Sequence, residues 1–151
     1  MVKKIICILL FINISLADII EIDAKSFFAD EKKGESVLSG DVLIKSGKDT
    51  LKTDKLFLYT DKNRKPLKII AKENVNFQIF LDDKIYNGKS KSLSYDVIKD
   101  IYEMNGNAII IEKKENKKLY GDTIIIDRKN NTYLVKSDKK PSRFIFEIDR
   151  K

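Results

Sequence analysis

The chain contains no histidine and no tryptophan, and its 151 residues include only one cysteine and two prolines. Without histidine, the Ser-His-Asp and Cys-His arrangements of nucleophilic catalysis and the common zinc sites cannot be built. The sequence also lacks a glycine-rich phosphate loop and residues with metal-ligand spacing. The adjacent carboxylates Asp82-Asp83 precede Lys84 between two apolar runs, which is typical of a hairpin turn. The sequence therefore predicts a protein that is not an enzyme and that needs neither a cofactor nor a metal.

The single cysteine lies in an N-terminal segment that has the pattern of a targeting signal. Met1-Val2-Lys3-Lys4 is basic, residues 5–14 are largely apolar, and Ser15-Leu16-Ala17 places small residues before a cleavage site. This pattern is typical of a secretory signal peptide. We therefore expect 1–17 to be removed, leaving one domain over 18–151 that has no cysteine and lies in an exported compartment. The alternative is that the apolar segment stays as a membrane anchor.

Charged residues of both signs are mixed along the chain. Lysine and arginine number 30 against 23 aspartates and glutamates, so the formal net charge is +7. Stretches such as Asp30-Glu31-Lys32-Lys33 and Glu112-Lys113-Lys114-Glu115 combine both signs, which is typical of solvated turns. We therefore expect no nucleic-acid partner, although the excess of bases favours an anionic ligand.

A short pattern recurs along the chain at a spacing of about 33 residues. The copies are Gly40-Asp41-Val42-Leu43-Ile44, Glu73-Asn74-Val75-Asn76-Phe77 and Gly106-Asn107-Ala108-Ile109-Ile110. A fixed period of this size indicates one supersecondary unit that is copied and stacked. The glycines predict a bulge or bend within a strand. Asp54 and Asp122 are expected to accept hydrogen bonds from backbone amides at the same bends.

Most of the remaining sequence predicts β-strands. β-branched and aromatic residues are grouped in short runs, and turn signals separate these runs at the spacing of all-β folds. Because residues two apart share a face of a strand, each copy of the repeat has an apolar stripe on one side. From the residues alone, this stripe is either an ordinary sandwich core or the lining of a ligand site. Phe144 to Ile148 is expected to be the last strand.

The order and spacing of these motifs resemble those of a known family over about residues 20–137. The family is the periplasmic lipopolysaccharide-transport protein A family (LptA, also called OstA-like). The matching segments are Ile20-Glu21-Ile22-Asp23-Ala24, Gly40-Asp41-Val42, Thr53-Asp54-Lys55, Tyr86-Asn87-Gly88-Lys89-Ser90, Leu93-Ser94-Tyr95, Gly106-Asn107-Ala108 and Tyr120-Gly121-Asp122. Glu73 departs from the family pattern, since a glycine is expected there, and Thr53 stands in place of alanine.

The resemblance implies a twisted, slightly open antiparallel β-jellyroll that is V-shaped and holds the acyl chains of lipopolysaccharide between its sheets. It also implies a periplasmic location and a bridge between the membranes. The partners would be an LptC-like inner-membrane jellyroll, an LptD-like outer-membrane translocon and further copies of the chain stacked head to tail. The lipid-binding residues implied by the resemblance and the shared face are Ile20, Ile22, Leu38, Val42, Ile44, Leu58, Val75, Phe77, Leu93, Tyr95, Met104, Ala108, Ile110, Ile124 and Ile126.

Two further readings remain open. A retained anchor would make the chain a membrane-tethered, LptC-like jellyroll of the same pathway. A different class of protein, a structural or adhesive β-repeat protein at the cell surface, would have the same strands without the lipid. The strands at the two chain ends are expected to pair with other jellyrolls, because an unpaired strand edge can template another strand. Arg64 and Lys65 are candidates for contact with lipid phosphates.

Overall fold

The computed structural model describes residues 20–81, 83–148 and Arg150, so the expected signal peptide 1–17 lies outside the described residues. Every regular element in these ranges is a β-strand. The strands are β1 (Ile20–Asp23), β2 (Ser26–Asp30), β3 (Glu35–Ser46), β4 (Asp49–Thr60), β5 (Pro66–Leu81), β6 (Lys84–Asp96), β7 (Ile101–Glu112), β8 (Lys117–Asp127), β9 (Thr132–Lys136) and β10 (Arg143–Ile145).

The strands form one antiparallel sheet in which sequence neighbours pair with each other from β3 to β8. β1 and β2 lie end to end along the outer side of β3, and β9 and β10 lie end to end along the outer side of β8. Each edge is therefore a broken strand made of two short ones. Within the described residues no ladder joins the two edges, so the sheet stays open on one side.

All the long strands are interrupted near their middle, and the interruptions line up across the sheet. The ladder register shifts at the residues that we call the corner line: Gly40-Asp41, Asp54, Glu73-Asn74, Lys91, Gly106-Asn107 and Asp122. Gly40 and Gly106 have φ angles of 82° and 85°, and Glu73 has 64°. Only glycine adopts this left-handed region without steric cost. The corner line divides the sheet into a first arm, which includes β2 and β9, and a second arm, which includes β1 and β10.

The corners are of two kinds, which decides which residues face inward. On β3, β5 and β7 two residues are inserted at the corner, so the even- or odd-numbered residues that face inward before the corner also face inward after it. On β3, for example, Leu38 and Val42 both face inward. On β4, β6 and β8 one residue is inserted, so the inward-facing positions change between odd and even numbers at the corner. On β4, for example, Thr53 faces inward before the corner and Leu56 faces inward after it. The hydroxyl of Thr53 lies 3.0 Å from the carbonyl oxygens of both Lys72 and Glu73, so its single proton is shared between these two acceptors inside the corner.

The two arms pack against each other through their inner faces. In the first arm a row of apolar residues pairs from edge to edge, namely Phe27, Leu38, Leu56, Ala71, Leu93, Met104, Ile124 and Val135. The matching row of the second arm is Ile22, Ile44, Leu51, Phe77, Gly88, Ile110, Leu119 and Phe144. Leu56, Val75 and Ile124 have no exposed surface, which a single uncovered sheet could not achieve. The fold is thus the V-shaped, slightly open antiparallel β-jellyroll that the resemblance implied.

Three local expectations need correction. Ser26–Asp30 forms the edge strand β2, which was not anticipated from the sequence. The last strand is Arg143–Ile145, shorter than and shifted from the expected Phe144 to Ile148. At the corners, Asp122 accepts from the backbone amide of Asp138 at 2.9 Å as expected, but Asp54 accepts from the side-chain amide of Asn74.

Candidate functional site

A cavity of about 740 Å³ opens between the arms on the side of β6, β7 and β8. Its middle is apolar and is lined from both arms by Phe77, Leu93, Met104, Ile110, Leu119 and Ile126. On the opposite side of the interior, around β3 and β4, Ile44, Leu56 and Leu58 are buried and do not line this cavity. The cavity therefore lies on the β6–β8 side of the interior.

The structure brings fourteen of the fifteen predicted lipid-binding residues to the inner face, and the side chain of the fifteenth, Ile20, is not described. Phe77, Leu93, Met104, Ile110 and Ile126 line the cavity. The buried core contains Leu38, Val42, Ile44, Leu58, Val75, Ala108 and Ile124, and Ile22 and Tyr95 pack against this core. Ile20 belongs to β1 and pairs with Ser46, and its side chain is outside the described residues. Contact of any of these residues with lipid stays a prediction.

Several residues that line the cavity were missed in the sequence. They are Ile79, Tyr86, Tyr102, Leu119, Tyr133 and Phe144, together with charged residues at the two ends. The parity of β7 would have found Tyr102, since it lies two residues before Met104. Leu119 could be found only by knowing that β8 inserts a single residue at Asp122, because its parity is opposite to that of Ile124.

Two stacked tyrosines lie at the first-arm end of the cavity, where Tyr102 lines it together with Asp127, Arg128 and Asn131. The rings of Tyr95 and Tyr102 lie 4.1 Å apart between centroids and within 9° of parallel. The hydroxyl of Tyr95 donates to Asp100 at 2.9 Å. Burial raises the pKa of both hydroxyls, and for Tyr95 the hydrogen bond to Asp100 raises it further, so the pair stays neutral in ordinary conditions.

The other end of the cavity carries charged side chains on the inner face. Lys84, Glu112, Glu115 and Lys117 all line it. Lys84 lies 3.2 Å from the carboxylate of Glu115, and Lys117 forms an ion pair with the same carboxylate. The hydrogen bonds from Lys117 and Lys84 lower the pKa of Glu115. Glu112, which the sequence placed in a solvated turn, is instead buried.

Aromatic side chains lie at the open edges of the inner face. Tyr133 and Phe144 line the cavity from β9 and β10, yet Tyr133 is 68% exposed. Phe144 stacks on Phe146 with ring centroids 5.2 Å apart. At the opposite edge Phe27 extends the inner row of the first arm and is also exposed. Large apolar residues at both open edges are typical of surfaces that receive a partner or a ligand.

The apolar middle of the cavity suits the binding of an apolar molecule. Among the described residues, no group of acidic or cysteine side chains is placed to hold a metal ion. The same part of the chain holds no helix that is long and apolar enough to cross a membrane.

The model of the LptA/LptD N-terminal domain family, described as an LPS transport protein, matches residues 21–132. The chain belongs to this family. The match covers β1 through the start of β9, and so includes the corner line and both arms of the sheet. Family membership makes this a lipopolysaccharide transport protein of the LptA kind, a family of transport proteins and not of enzymes.

A solved structure supports the same fold. The chain resembles LptH of Pseudomonas aeruginosa, described as the LptA homologous periplasmic component of the conserved lipopolysaccharide transport device. The two share 19% sequence identity with a TM-score of 0.69, over 87% of this chain and 95% of the other. At this identity the likeness concerns the fold. No curated protein matches the chain.

Proposed function

We propose that this protein carries lipopolysaccharide through the periplasm with the acyl chains of lipid A inside the cavity between the two arms. The observation that carries the proposal is the apolar cavity of about 740 Å³ in a chain of this transport family. Each CH₂ group removed from water contributes about 0.8 kcal/mol, so an acyl chain in the cavity is held without any covalent bond. The open side lets the chains enter and leave sideways while the sugar stays in water.

The volume of the cavity limits how much lipid fits. A volume of 740 Å³ lies within the range of roughly 300–1,000 Å³ that holds one drug-sized ligand. We infer that the first acyl chains enter the cavity beside β6 to β8. Further chains require the arms to separate at the open edges, where Tyr133 and Phe144 already expose apolar surface.

We infer that the protein bridges the two membranes by stacking its jellyroll against others. The outer sides of β1 and β2 at one edge, and of β9 and β10 at the other, are strand edges to which a further strand can be added. A contact between unlike edges does not close, so it produces an open head-to-tail chain of copies. An LptC-like jellyroll at one end and an LptD-like translocon at the other would then complete the bridge.

The periplasmic location rests on the expected removal of 1–17. Mass measurement of the exported protein is expected to show Asp18 as its first residue. A membrane-bound product that retains Met1 would favour the tethered, LptC-like reading. A structural or adhesive β-repeat protein would need the strands but not the cavity. That alternative therefore predicts no binding of lipopolysaccharide.

The proposal is tested by filling the cavity with a bulky side chain. Ile126 lines the cavity, whereas the adjacent Ile125 faces outward and pairs with Leu134 on β9. In equilibrium binding with purified lipopolysaccharide, Ile126→Trp is expected to lower affinity at least tenfold, because the indole takes the space of an acyl chain. Ile125→Trp is the matched control and is expected to bind as the unaltered protein does. Equal affinity of the two folded variants would contradict the proposal.

A further inference from the structure

Three neighbouring strands place a charged residue at the last inward position of the second arm. Lys84 begins β6 and alternates with the inward Tyr86 and Gly88, while Glu112 ends β7 and Lys117 begins β8. Glu112 pairs directly with Lys117 in the β7–β8 ladder. Charged groups on the inner face of a sheet are costly unless they are paired or functional. Charged residues line the cavity at both of its ends, and the group at the second-arm end lies next to the apolar lining.

The two carboxylates of this group have different roles. Glu112 is 4% exposed, and its oxygens accept from the backbone amides of Lys114 at 3.0 Å and Glu115 at 2.7 Å. The backbone amides of the β7–β8 turn therefore stabilise the carboxylate of Glu112. Glu115 is at the surface of the same turn, and its carboxylate bridges the ammonium groups of Lys84 and Lys117. An exposed carboxylate in such a bridge contributes little stability and is easily exchanged.

We propose that Lys84 and Lys117 form a binding site for the phosphate of an anionic amphiphile, and that the phosphate displaces Glu115 when the acyl chains occupy the cavity. This inference rests on the proposed function, because it assigns the headgroup of the same ligand. A phosphate supplies more negative charge than a carboxylate and has three acceptor oxygens. Two ammonium groups that already share one anion are thus arranged to bind a second, stronger one.

The two ends of the cavity fix the direction of the ligand. At the first-arm end Arg128 lies 3.9 Å from Asp100, beside the stacked pair Tyr95 and Tyr102, so its charge is already paired within the fold. The headgroup is therefore assigned to the end where Lys84 and Lys117 share the exposed carboxylate of Glu115. The basic residues suggested by the sequence lie elsewhere: Arg64 is in the β4–β5 turn, bonded to Glu31 at 3.2 Å, and neither it nor Lys65 lines the cavity.

The test compares two lipids that differ only in phosphate. Bis-phosphorylated lipid A and the same lipid after removal of its phosphates are bound to the unaltered protein and to three variants at fixed ionic strength. Lys84→Gln/Lys117→Gln removes the site, and Glu115→Gln removes the competing carboxylate. Arg64→Gln/Lys65→Gln is the matched control for loss of two surface positive charges away from the cavity. Inorganic phosphate is titrated separately, and melting curves confirm that each variant is folded.

The double variant Lys84→Gln/Lys117→Gln is expected to bind the phosphorylated lipid about tenfold more weakly and the dephosphorylated lipid unchanged, as the loss of charged hydrogen bonds predicts. Glu115→Gln is expected to tighten binding of the phosphorylated lipid only. Equal effects on both lipids, or none, would overturn the inference and leave the cavity proposal intact. Failure of the unaltered protein to bind either lipid would instead refute the proposed function. Binding of inorganic phosphate with the same dependence on both lysines would show a free-anion site and overturn the headgroup assignment.

Discussion

The ring of Phe77 lies against Gly88, its cross-strand partner in the β5–β6 ladder. A Cβ atom added at Gly88 would overlap the ring of Phe77. The glycine therefore lets a large aromatic side chain lie flat on the inner face of the second arm. Phe77 in turn forms one wall of the cavity. The size of the cavity thus depends on the absence of a Cβ atom at Gly88.

Replacing Gly88 with alanine is expected to destabilise the fold and to move Phe77 into the cavity. Overpacking of this kind costs about 1–3 kcal/mol of unfolding free energy, measured by urea denaturation. The double variant Phe77→Ala/Gly88→Ala isolates the cause, because removal of the ring removes the overlap. If the alanine at Gly88 costs as much without Phe77 as with it, contact with the ring is not the reason for the glycine.

Replacing Glu73 with glycine is expected to stabilise the protein. Glu73 has a φ angle of 64° at the corner where the other copies of the repeat have Gly40 and Gly106. Relief of the left-handed conformation exceeds the entropic cost of glycine, so the net gain in unfolding free energy is about 0.5–1 kcal/mol.

The neighbouring corner residue provides the control for this gain. Asn74 also has a positive φ angle, but asparagine tolerates it, and its side chain donates to Asp54 at 2.8 Å. Asn74→Gly is therefore expected to gain nothing or to lose stability in the same thermal unfolding measurement. Destabilisation by Glu73→Gly would mean that the glutamate side chain, and not the corner backbone, decides this position.

Removal of residues 144–151 is expected to shorten head-to-tail oligomers. The truncation removes most of β10 and the exposed Phe144 and Phe146, but it keeps β8 and the corner line. Because one assembly edge is lost, light scattering across a range of protein concentrations should show smaller species than the full chain. An unchanged size distribution would show that this edge is not an assembly surface.

The repeat in the sequence predicted the corners and much of the inner face correctly. A period of about 33 residues located Gly40, Glu73 and Gly106 on successive odd-numbered strands, where two inserted residues preserve parity. Val42, Val75 and Ala108, which occupy equivalent positions on β3, β5 and β7, are all buried, as the repeat predicted. These features are local, so alternation along one strand is enough to find them.

Other features depend on tertiary structure and could not be found in this way. Residues Phe27 and Phe28 belong to an edge strand whose side chains are mostly exposed, so no apolar alternation marks it. The burial of Glu112 depends on the β7–β8 turn, whose backbone amides at Lys114 and Glu115 donate to its carboxylate, whereas its surrounding charges suggest a solvated position. The position of the cavity depends on which side chains meet across the two arms.

Photo-crosslinking at Ile110 and Ile109 tests the central claim most directly. These adjacent isoleucines of β7 differ in face: Ile110 lines the cavity, whereas Ile109 pairs with Tyr120 on the outer face. A photoreactive residue at Ile110, in cells that export lipopolysaccharide, is expected to yield a lipopolysaccharide adduct, and one at Ile109 is expected to yield none. Equal labelling at both positions, or labelling at Ile109 alone, would contradict an acyl-chain site between the arms.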